Sequence, residues 1–91
     1  MSIAYLNGQW SKPEDTKISV FDRGFMFGDG VYEVMPVYQG HIFTLDQHIV
    51  RLKRSMAEVR IQSPLDVSAW KALLEEAVGR SGEQDALIYL Q

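Results

Sequence analysis

Two stretches of the sequence carry apolar residues at the spacing of an amphipathic helix, and this periodicity most limits what the chain can fold into. In the first stretch the apolar residues recur at intervals of four and three: Leu45, Ile49, Leu52, Met56 and Val59. In the second they are Val67, Trp70, Leu73, Leu74, Ala77 and Val78. Residues at such intervals share one side of an α-helix. Each stretch therefore predicts a helix whose apolar face must be buried against another layer of structure.

The flanking residues predict where these helices begin and end. Thr44 and Gln47 have the spacing of a capping box at the start of the first helix. Pro64 separates the two helices, and the Asp66 side chain can cap the second. Gly82 can end the second helix in a left-handed conformation.

Extended segments on both sides of the helices predict the second layer. The pair Asn7-Gly8 between two short extended runs indicates a tight hairpin, and residues 31–38 and 41–43 predict another. A short β-branched run lies at 18–21, and the almost wholly apolar run 86–90 predicts a buried strand. Pro36 cannot donate a ladder hydrogen bond, so we expect it at an edge or a bulge. The predicted fold is α+β: a small antiparallel sheet, built from the hairpins and the last strand, is packed on one face by two helices.

The composition restricts the compartment and the partners. A formal net charge of −3 gives no general attraction to nucleic acid. The absence of cysteine excludes disulfides and sulfur-ligated metal, and it suits the cytoplasm. The first ten residues do not form a signal peptide, and no window is long enough for a membrane span. We therefore expect a cytoplasmic domain with no nucleic-acid, membrane or metal partner.

The chain stops directly after the apolar run 86–90, with no closing turn. An unpaired apolar strand at a natural C-terminus would be an aggregation hazard. We therefore expect residues 1–91 to be the first, smaller domain of a longer polypeptide.

Alternation along the strand at 31–38 separates its residues into two sets. Tyr32 and Val34 fall on one face, while Glu33 and Met35 fall on the other. Tyr32 either packs its ring in a core or offers its hydroxyl to a carboxylate. The preceding Gly28-Asp29-Gly30 leads into a strand, so it predicts a turn and no phosphate-binding glycine loop.

Arg51 lies at the border of the first helix's apolar face, because it directly precedes Leu52. Arginines in such a basic segment usually form a hydrated surface, but from this border a guanidinium could reach a phosphate. His48 precedes Ile49 in the same way. A histidine there is more often packed or on the surface than catalytic.

The order of these residues resembles that of the class IV (fold-type IV) pyridoxal-phosphate enzymes over nearly the whole chain. The shared order is Asp22-Arg23-Gly24, then FGDGVYE at 27–33, a short hairpin, and His48, Arg51 and Leu52. Within that class, FGDGVYEV followed by VYQGHIFTLDQHIVRL is similar to the D-amino-acid aminotransferases. Branched-chain aminotransferases more typically have a tyrosine-glycine opening, and aminodeoxychorismate lyases tend to lose the tyrosine-glutamate pair.

The resemblance implies a homodimeric transaminase that uses pyridoxal 5'-phosphate to move amino groups between D-amino acids and 2-oxo acids. The family arginine that binds the cofactor phosphate corresponds to Arg51. The family tyrosine that helps to bind the substrate carboxylate corresponds to Tyr32, and Val34 would line the pocket near the cofactor ring. The catalytic lysine, and an arginine and a histidine that complete the carboxylate site, belong to the family's chain beyond Gln91. We therefore expect no catalytic residue in these 91 residues.

Two other hypotheses remain. A branched-chain aminotransferase or an aminodeoxychorismate lyase of the same class is possible, because substrate choice depends largely on residues outside this chain. A non-catalytic interaction or dimerisation module is favoured by the short length. The joint presence of Tyr32 and Arg51 argues against the module, since a scaffold needs neither a carboxylate binder nor a phosphate binder.

Overall fold

The computed structural model describes the whole chain, residues 1–91. It contains five strands, two long helices and two short helical segments, and none of its helices is long and apolar enough to cross a membrane. In chain order the elements are β1 (Ala4–Leu6), β2 (Gln9–Ser11), a 3-10 turn (Pro13–Asp15), α1 (Arg23–Phe27), β3 (Glu33–Tyr38), β4 (His41–Ile42), α2 (Leu45–Glu58), α3 (Val67–Ser81) and β5 (Ala86–Leu90).

The strands form two antiparallel sheets. Strand β3 lies at the centre of a three-stranded sheet, with β4 on one side and β5 on the other. Strands β1 and β2 pair only with each other. The predicted antiparallel pairing is confirmed, but the prediction of one sheet containing both hairpins is wrong. A tight turn determines which strands pair within a hairpin, whereas the position of that hairpin depends on tertiary packing.

Both hairpin turns have the backbone conformation that their sequences predict. Asn7 and Gly8 have φ values of 49° and 89°, and Gln39 and Gly40 have φ values of 51° and 79°. Two successive residues with positive φ form a type I′ turn, whose twist matches that of the flanking strands. In the second hairpin the Gly40 amide also donates to the Gln84 carbonyl at 2.8 Å, so the turn is tied to the loop before β5.

The core lies between the three-stranded sheet and the two long helices, as predicted. Helix α2 packs on β3, and α3 packs on α2. The buried apolar residues come from these three elements: Met35, Val37, Ile49, Leu52, Met56, Trp70 and Leu74. Trp70 satisfies its indole N–H by donating to the Ser63 hydroxyl at 3.0 Å. Val59 was predicted to belong to this face, but α2 ends at Glu58 and Val59 is exposed.

The ends of the long helices confirm two of the three predicted signals. Asp66 caps α3 by accepting a hydrogen bond from the Ala69 amide at 2.8 Å, and Gly82 ends that helix with φ 69°. The predicted capping box at Thr44 is wrong. Thr44 has φ 53° and its hydroxyl donates to the Phe43 carbonyl, so it makes no side-chain cap. The preceding turn holds Thr44 in a left-handed conformation, whereas a capping residue is normally extended.

Residues 18–21, predicted as a β-branched extended run, belong to no strand, and the next segment forms the unpredicted helix α1. The Asp22 carboxylate caps this helix by accepting from the Phe25 amide at 3.3 Å. Gly28 ends it with φ 71°. The glycine segment therefore provides a helix end and a turn, in agreement with the predicted turn. Five residues are too short for an amphipathic period to be recognised in the sequence.

Pro36 lies in the central strand, so its predicted placement in an edge strand or a bulge is wrong. It pairs with Leu87 of β5, and its carbonyl accepts from the Phe43 amide on the opposite side at 2.8 Å. The nitrogen and carbonyl of one residue point to the same side of an antiparallel strand. The Pro36 nitrogen therefore faces the side where β4 has already ended, at Ile42, and no ladder bond is lost there.

Strand β5 is confirmed, but it is not buried on both faces. Its exposure alternates, and Leu87 and Tyr89 are 71% and 62% exposed. The helices cover one face of the sheet only, which leaves the other face of β5 open. An apolar run alone does not distinguish these two situations.

Replacing Ile49 by alanine should lower the free energy of unfolding by about 2 to 5 kcal/mol, because it opens a cavity between α2 and β3. Val50→Ala is the control. Val50 is also β-branched and helical but 65% exposed, so its replacement should change stability by less than about 0.5 kcal/mol. Urea denaturation followed by circular dichroism measures both. Equal losses in the two variants would contradict the placement of Ile49 in the core.

Candidate functional site

Strand β3 directs its residues to two faces, as its sequence predicts. Glu33, Met35 and Val37 are buried toward the helices. Tyr32, directly before the strand, is 66% exposed, and Val34 is also exposed. The prediction that Tyr32 and Val34 share the face opposite to Glu33 is therefore confirmed.

The outer face of the sheet carries two aromatic side chains side by side. The ring of Tyr32 stacks on that of Tyr89, with centroids 6.0 Å apart and an angle of 21° between the planes. Val34 lies directly opposite Tyr89 in the strand register. The Tyr89 hydroxyl donates to Gln91 at 2.6 Å, whereas the Tyr32 hydroxyl makes no hydrogen bond within the chain. Tyr32 thus has its ring supported and its hydroxyl free.

On the inner face, Glu33 joins the strand to helix α2 through two side chains. Arg51 donates from Nε to Oε2 at 2.8 Å and from Nη2 to Oε1 at 2.7 Å. His48 Nδ1 lies 2.6 Å from the same Oε1. Glu33 is only 3% exposed, so this carboxylate is a buried charge with three hydrogen bonds. A fully paired arrangement of this kind is what a buried carboxylate requires.

The sequence reasoning missed Glu33 as a site residue. Two signals could have identified it. An acidic residue at a core-facing strand position needs a charged partner, and His48 and Arg51 are three residues apart on α2, so they lie on the same side of that helix.

Arg51 retains donors on its outer edge. The guanidinium has five N–H groups, of which Glu33 takes the Nε–H and one Nη2–H. The side chain is 57% exposed and lies at the rim of a depression of about 480 Å³ formed by the first turns of α2, together with Arg54. Hydrogen bonds and charge from Glu33 raise the pKa of Arg51, and Tyr32 is near enough to add to that increase. Arg51 and Tyr32 therefore lie at the same end of the domain.

The remaining ionisable residues form no second centre. A smaller depression of about 350 Å³ between the second hairpin and α3 contains none of the predicted site residues. The chain has no cluster of side chains that could hold a metal ion. No lysine is buried: Lys12, Lys17 and Lys53 are exposed, and Lys71 pairs with Asp46 at 2.5 Å.

The Glu33 cluster should make stability depend on pH in acid. The hydrogen bonds from Arg51 hold the pKa of Glu33 below its ordinary value of 4.5, with His48 adding to the decrease and burial opposing it. A depressed carboxylate pKa contributes stability that is complete above the ordinary value and is lost as pH falls through the lower, folded value. The free energy of unfolding should therefore fall as the pH drops below 4.5.

Glu33→Gln should remove this part of the pH profile, because an amide does not titrate in that range. Glu76→Gln is the matched control, since Glu76 accepts from the Arg80 Nε at 2.6 Å but is exposed. Urea denaturation at a series of pH values measures the profile of each protein. A Glu33→Gln profile as steep as that of the unsubstituted chain would contradict the assignment.

Known proteins share this sequence and fold. The chain is 41% identical over 85 residues to the D-alanine aminotransferase of Bacillus licheniformis, covering 93% of this chain and 30% of that protein. It is 35% identical over its whole length to the D-alanine aminotransferase of Staphylococcus aureus strain N315, of which it covers 32%. The chain thus spans about a third of the length of the relatives that it matches.

Solved structures with the same fold carry two further names. A branched-chain amino acid aminotransferase from the source abbreviated T.th., with pyridoxamine 5'-phosphate, superposes with a TM-score of 0.87 at 25% identity, over 97% of this chain and 31% of that one. The 4-amino-4-deoxychorismate lyase of Pseudomonas aeruginosa gives a TM-score of 0.65 at 31% identity, over 81% of this chain and 27% of that one.

The family profile described as amino-transferase class IV matches residues 30–91, which contain β3, both long helices and β5. That match covers more than half of the chain, and the relatives in the preceding comparison extend it to the N-terminal hairpin. The predicted resemblance is therefore confirmed, and this chain belongs to the class IV aminotransferase family.

Proposed function

We propose that residues 1–91 form the N-terminal domain of a pyridoxal-phosphate transaminase that moves amino groups between D-amino acids and 2-oxo acids. The observation that carries this proposal is the placement of two free polar groups at one end of the domain: the outer edge of the Arg51 guanidinium and the Tyr32 hydroxyl. A cofactor phosphate and a substrate carboxylate are both anions, and these donors suit them. The D-alanine aminotransferase relatives support the choice of substrate class.

In this proposal Arg51 binds the cofactor phosphate. Its outer edge offers N–H groups in the fork arrangement that phosphate oxygens accept well. Helix α2 and the pair with Glu33 hold the guanidinium in place. The exposed side chain leaves room for a ligand in the adjoining depression. The donor set thus fits the phosphate end of pyridoxal phosphate.

Tyr32 would bind the substrate carboxylate through its hydroxyl. The stacked ring of Tyr89 restricts Tyr32, so its hydroxyl loses little freedom when a ligand binds. Val34, on the same outer face, would provide an apolar wall beside the cofactor ring. These two residues give the site one polar and one apolar contact from a single strand.

The chemistry itself requires groups beyond this domain. Pyridoxal phosphate, when bound, supplies an electron sink that stabilises negative charge at the substrate Cα. A lysine must carry the proton, and every lysine of this chain is solvent-accessible or paired with an acid. We therefore place the catalytic lysine in a second domain of the complete polypeptide. The 91 residues alone should not catalyse the reaction.

The proposal extends to assembly and location. A homodimer is supported by the exposed apolar side chains between residues 18 and 27, which include Phe21, Phe25 and Phe27. A cytoplasmic location is supported by the absence of cysteine from the sequence. Both stay predictions.

Two alternatives remain from specific observations. The structural likeness to a branched-chain aminotransferase and to an aminodeoxychorismate lyase favours another reaction of the same class. The open apolar face of the sheet, with Leu87 and Tyr89, would also suit a non-catalytic interaction module. The free donors of Arg51 and Tyr32 favour the enzyme, because a module has no need of them.

The complete polypeptide should transfer the amino group of D-alanine to 2-oxoglutarate and should not use L-leucine. Formation of pyruvate from D-alanine, followed with a coupled lactate dehydrogenase assay, measures the first reaction. The 2-oxo acid formed from L-leucine, separated by chromatography, measures the second. Activity on L-leucine alone would support the branched-chain alternative and overturn the D-specific proposal. Inactivity of the cofactor-loaded protein on both substrates would remove the transaminase proposal.

Tyr32→Phe should raise the KM for the amino acid about tenfold, because a hydrogen bond to a charged carboxylate is lost. Cofactor affinity should stay the same. Tyr38→Phe is the control, since Tyr38 is exposed on the same face of β3 but lies about 20 Å along the strand. Steady-state kinetics of the complete protein measures both variants. An unchanged KM in Tyr32→Phe would exclude Tyr32 as the carboxylate binder.

A further inference from the structure

We propose that Glu33 and His48 are positioning residues that hold the Arg51 guanidinium in the one orientation that presents its free edge to the cofactor phosphate. This inference rests on the proposed role of Arg51 as the phosphate binder. It assigns a function to an acidic residue that the alternation of β3 buries and that the proposed chemistry otherwise leaves unused.

The position of Glu33 is not explained by packing alone. It is the one buried charged residue of the chain, and it shares the inner face of β3 with Met35 and Val37. Replacing a buried ion pair by apolar residues of similar size is often neutral or stabilising. A core position on this strand therefore has no need of a carboxylate for stability. What the carboxylate does provide is a defined geometry for its partner.

The hydrogen bonds define that geometry. Glu33 contacts the side edge of the guanidinium, with Nε to Oε2 at 2.8 Å and Nη2 to Oε1 at 2.7 Å. The donors that remain are the two Nη1–H groups and one Nη2–H, all on the end edge of the same planar group. That edge can bind two oxygens of one phosphate in parallel. Without Glu33, a long exposed arginine side chain would be free to rotate this edge away from the site.

His48 completes the arrangement by fixing the carboxylate. Its Nδ1 lies 2.6 Å from Oε1, the same oxygen that accepts from Arg51 Nη2. An ionised carboxylate can only accept, so Nδ1 carries the hydrogen. The imidazole lies on α2 one turn before Arg51 and is largely buried, so the helix holds both partners of Glu33. Strand and helix together therefore determine the direction of the free edge.

The test measures cofactor binding by the complete apo polypeptide, with pyridoxal phosphate and with pyridoxal, which lacks the phosphate. Arg51→Gln should weaken binding of pyridoxal phosphate but leave pyridoxal binding unchanged. Glu33→Gln should do the same, by about tenfold, because one charge-assisted contact to the guanidinium is lost. The double variant should bind no more weakly than Arg51→Gln, since Glu33 acts only through Arg51. Glu76→Gln, the distant carboxylate paired with Arg80, should bind both compounds normally.

The outcomes separate the two proposals. If Arg51→Gln keeps its affinity for pyridoxal phosphate, the assignment of Arg51 fails and this inference fails with it. If Arg51→Gln loses affinity while Glu33→Gln keeps it or binds more tightly, only the positioning role is overturned. Equal losses for pyridoxal phosphate and pyridoxal in Glu33→Gln would indicate structural damage and would also overturn the role.

Variants of His48 keep the inference testable if Glu33→Gln does not fold. His48→Phe retains the ring shape but has no donor, so its affinity for pyridoxal phosphate should fall and that for pyridoxal should not. His48→Asn places an amide N–H near the position of Nδ1 and should restore affinity. Normal binding of pyridoxal phosphate by His48→Phe would exclude a positioning role for this histidine.

Discussion

The alternation of residues along β3 is the constraint on which the rest of the domain depends. This strand pairs with β4 and β5 and packs against α2, so every layer of the core meets at it. Its inner residues anchor the hydrophobic core, while Tyr32 and Val34 are left on the open face. A shift of one residue in register would exchange the two faces completely. The core and the candidate site are thus determined by the same register.

Glu33 connects that strand to the helix through charge as well as through packing. Ile49 and Leu52 are buried in the core, and this rotation of α2 brings His48 and Arg51 to the border facing the strand. Burial of apolar surface determines the rotation, and the three hydrogen bonds to Glu33 make it specific. A single arrangement therefore stabilises the layer contact and leaves one edge of the guanidinium free.

Sequence periodicity predicted both long helices, the hairpin turns and the two faces of β3, because these depend on local geometry. It predicted neither the separate sheet formed by the N-terminal hairpin nor helix α1, which is too short to show a period. The capping box at Thr44 failed because the preceding turn holds that residue in a left-handed conformation. In each case a contact or a turn outside the segment outweighed the local signal.

The sequence by itself determined which residues face which layer, that Arg51 borders an apolar helix face, and that the glycines before β3 form a turn. Tertiary structure alone decided that the buried Glu33 meets Arg51 and His48, and that Tyr89 supports Tyr32. The reason is physical. The period of a strand or helix is a property of its own backbone, whereas a hydrogen bond between residues 15 or 18 positions apart depends on how two elements pack.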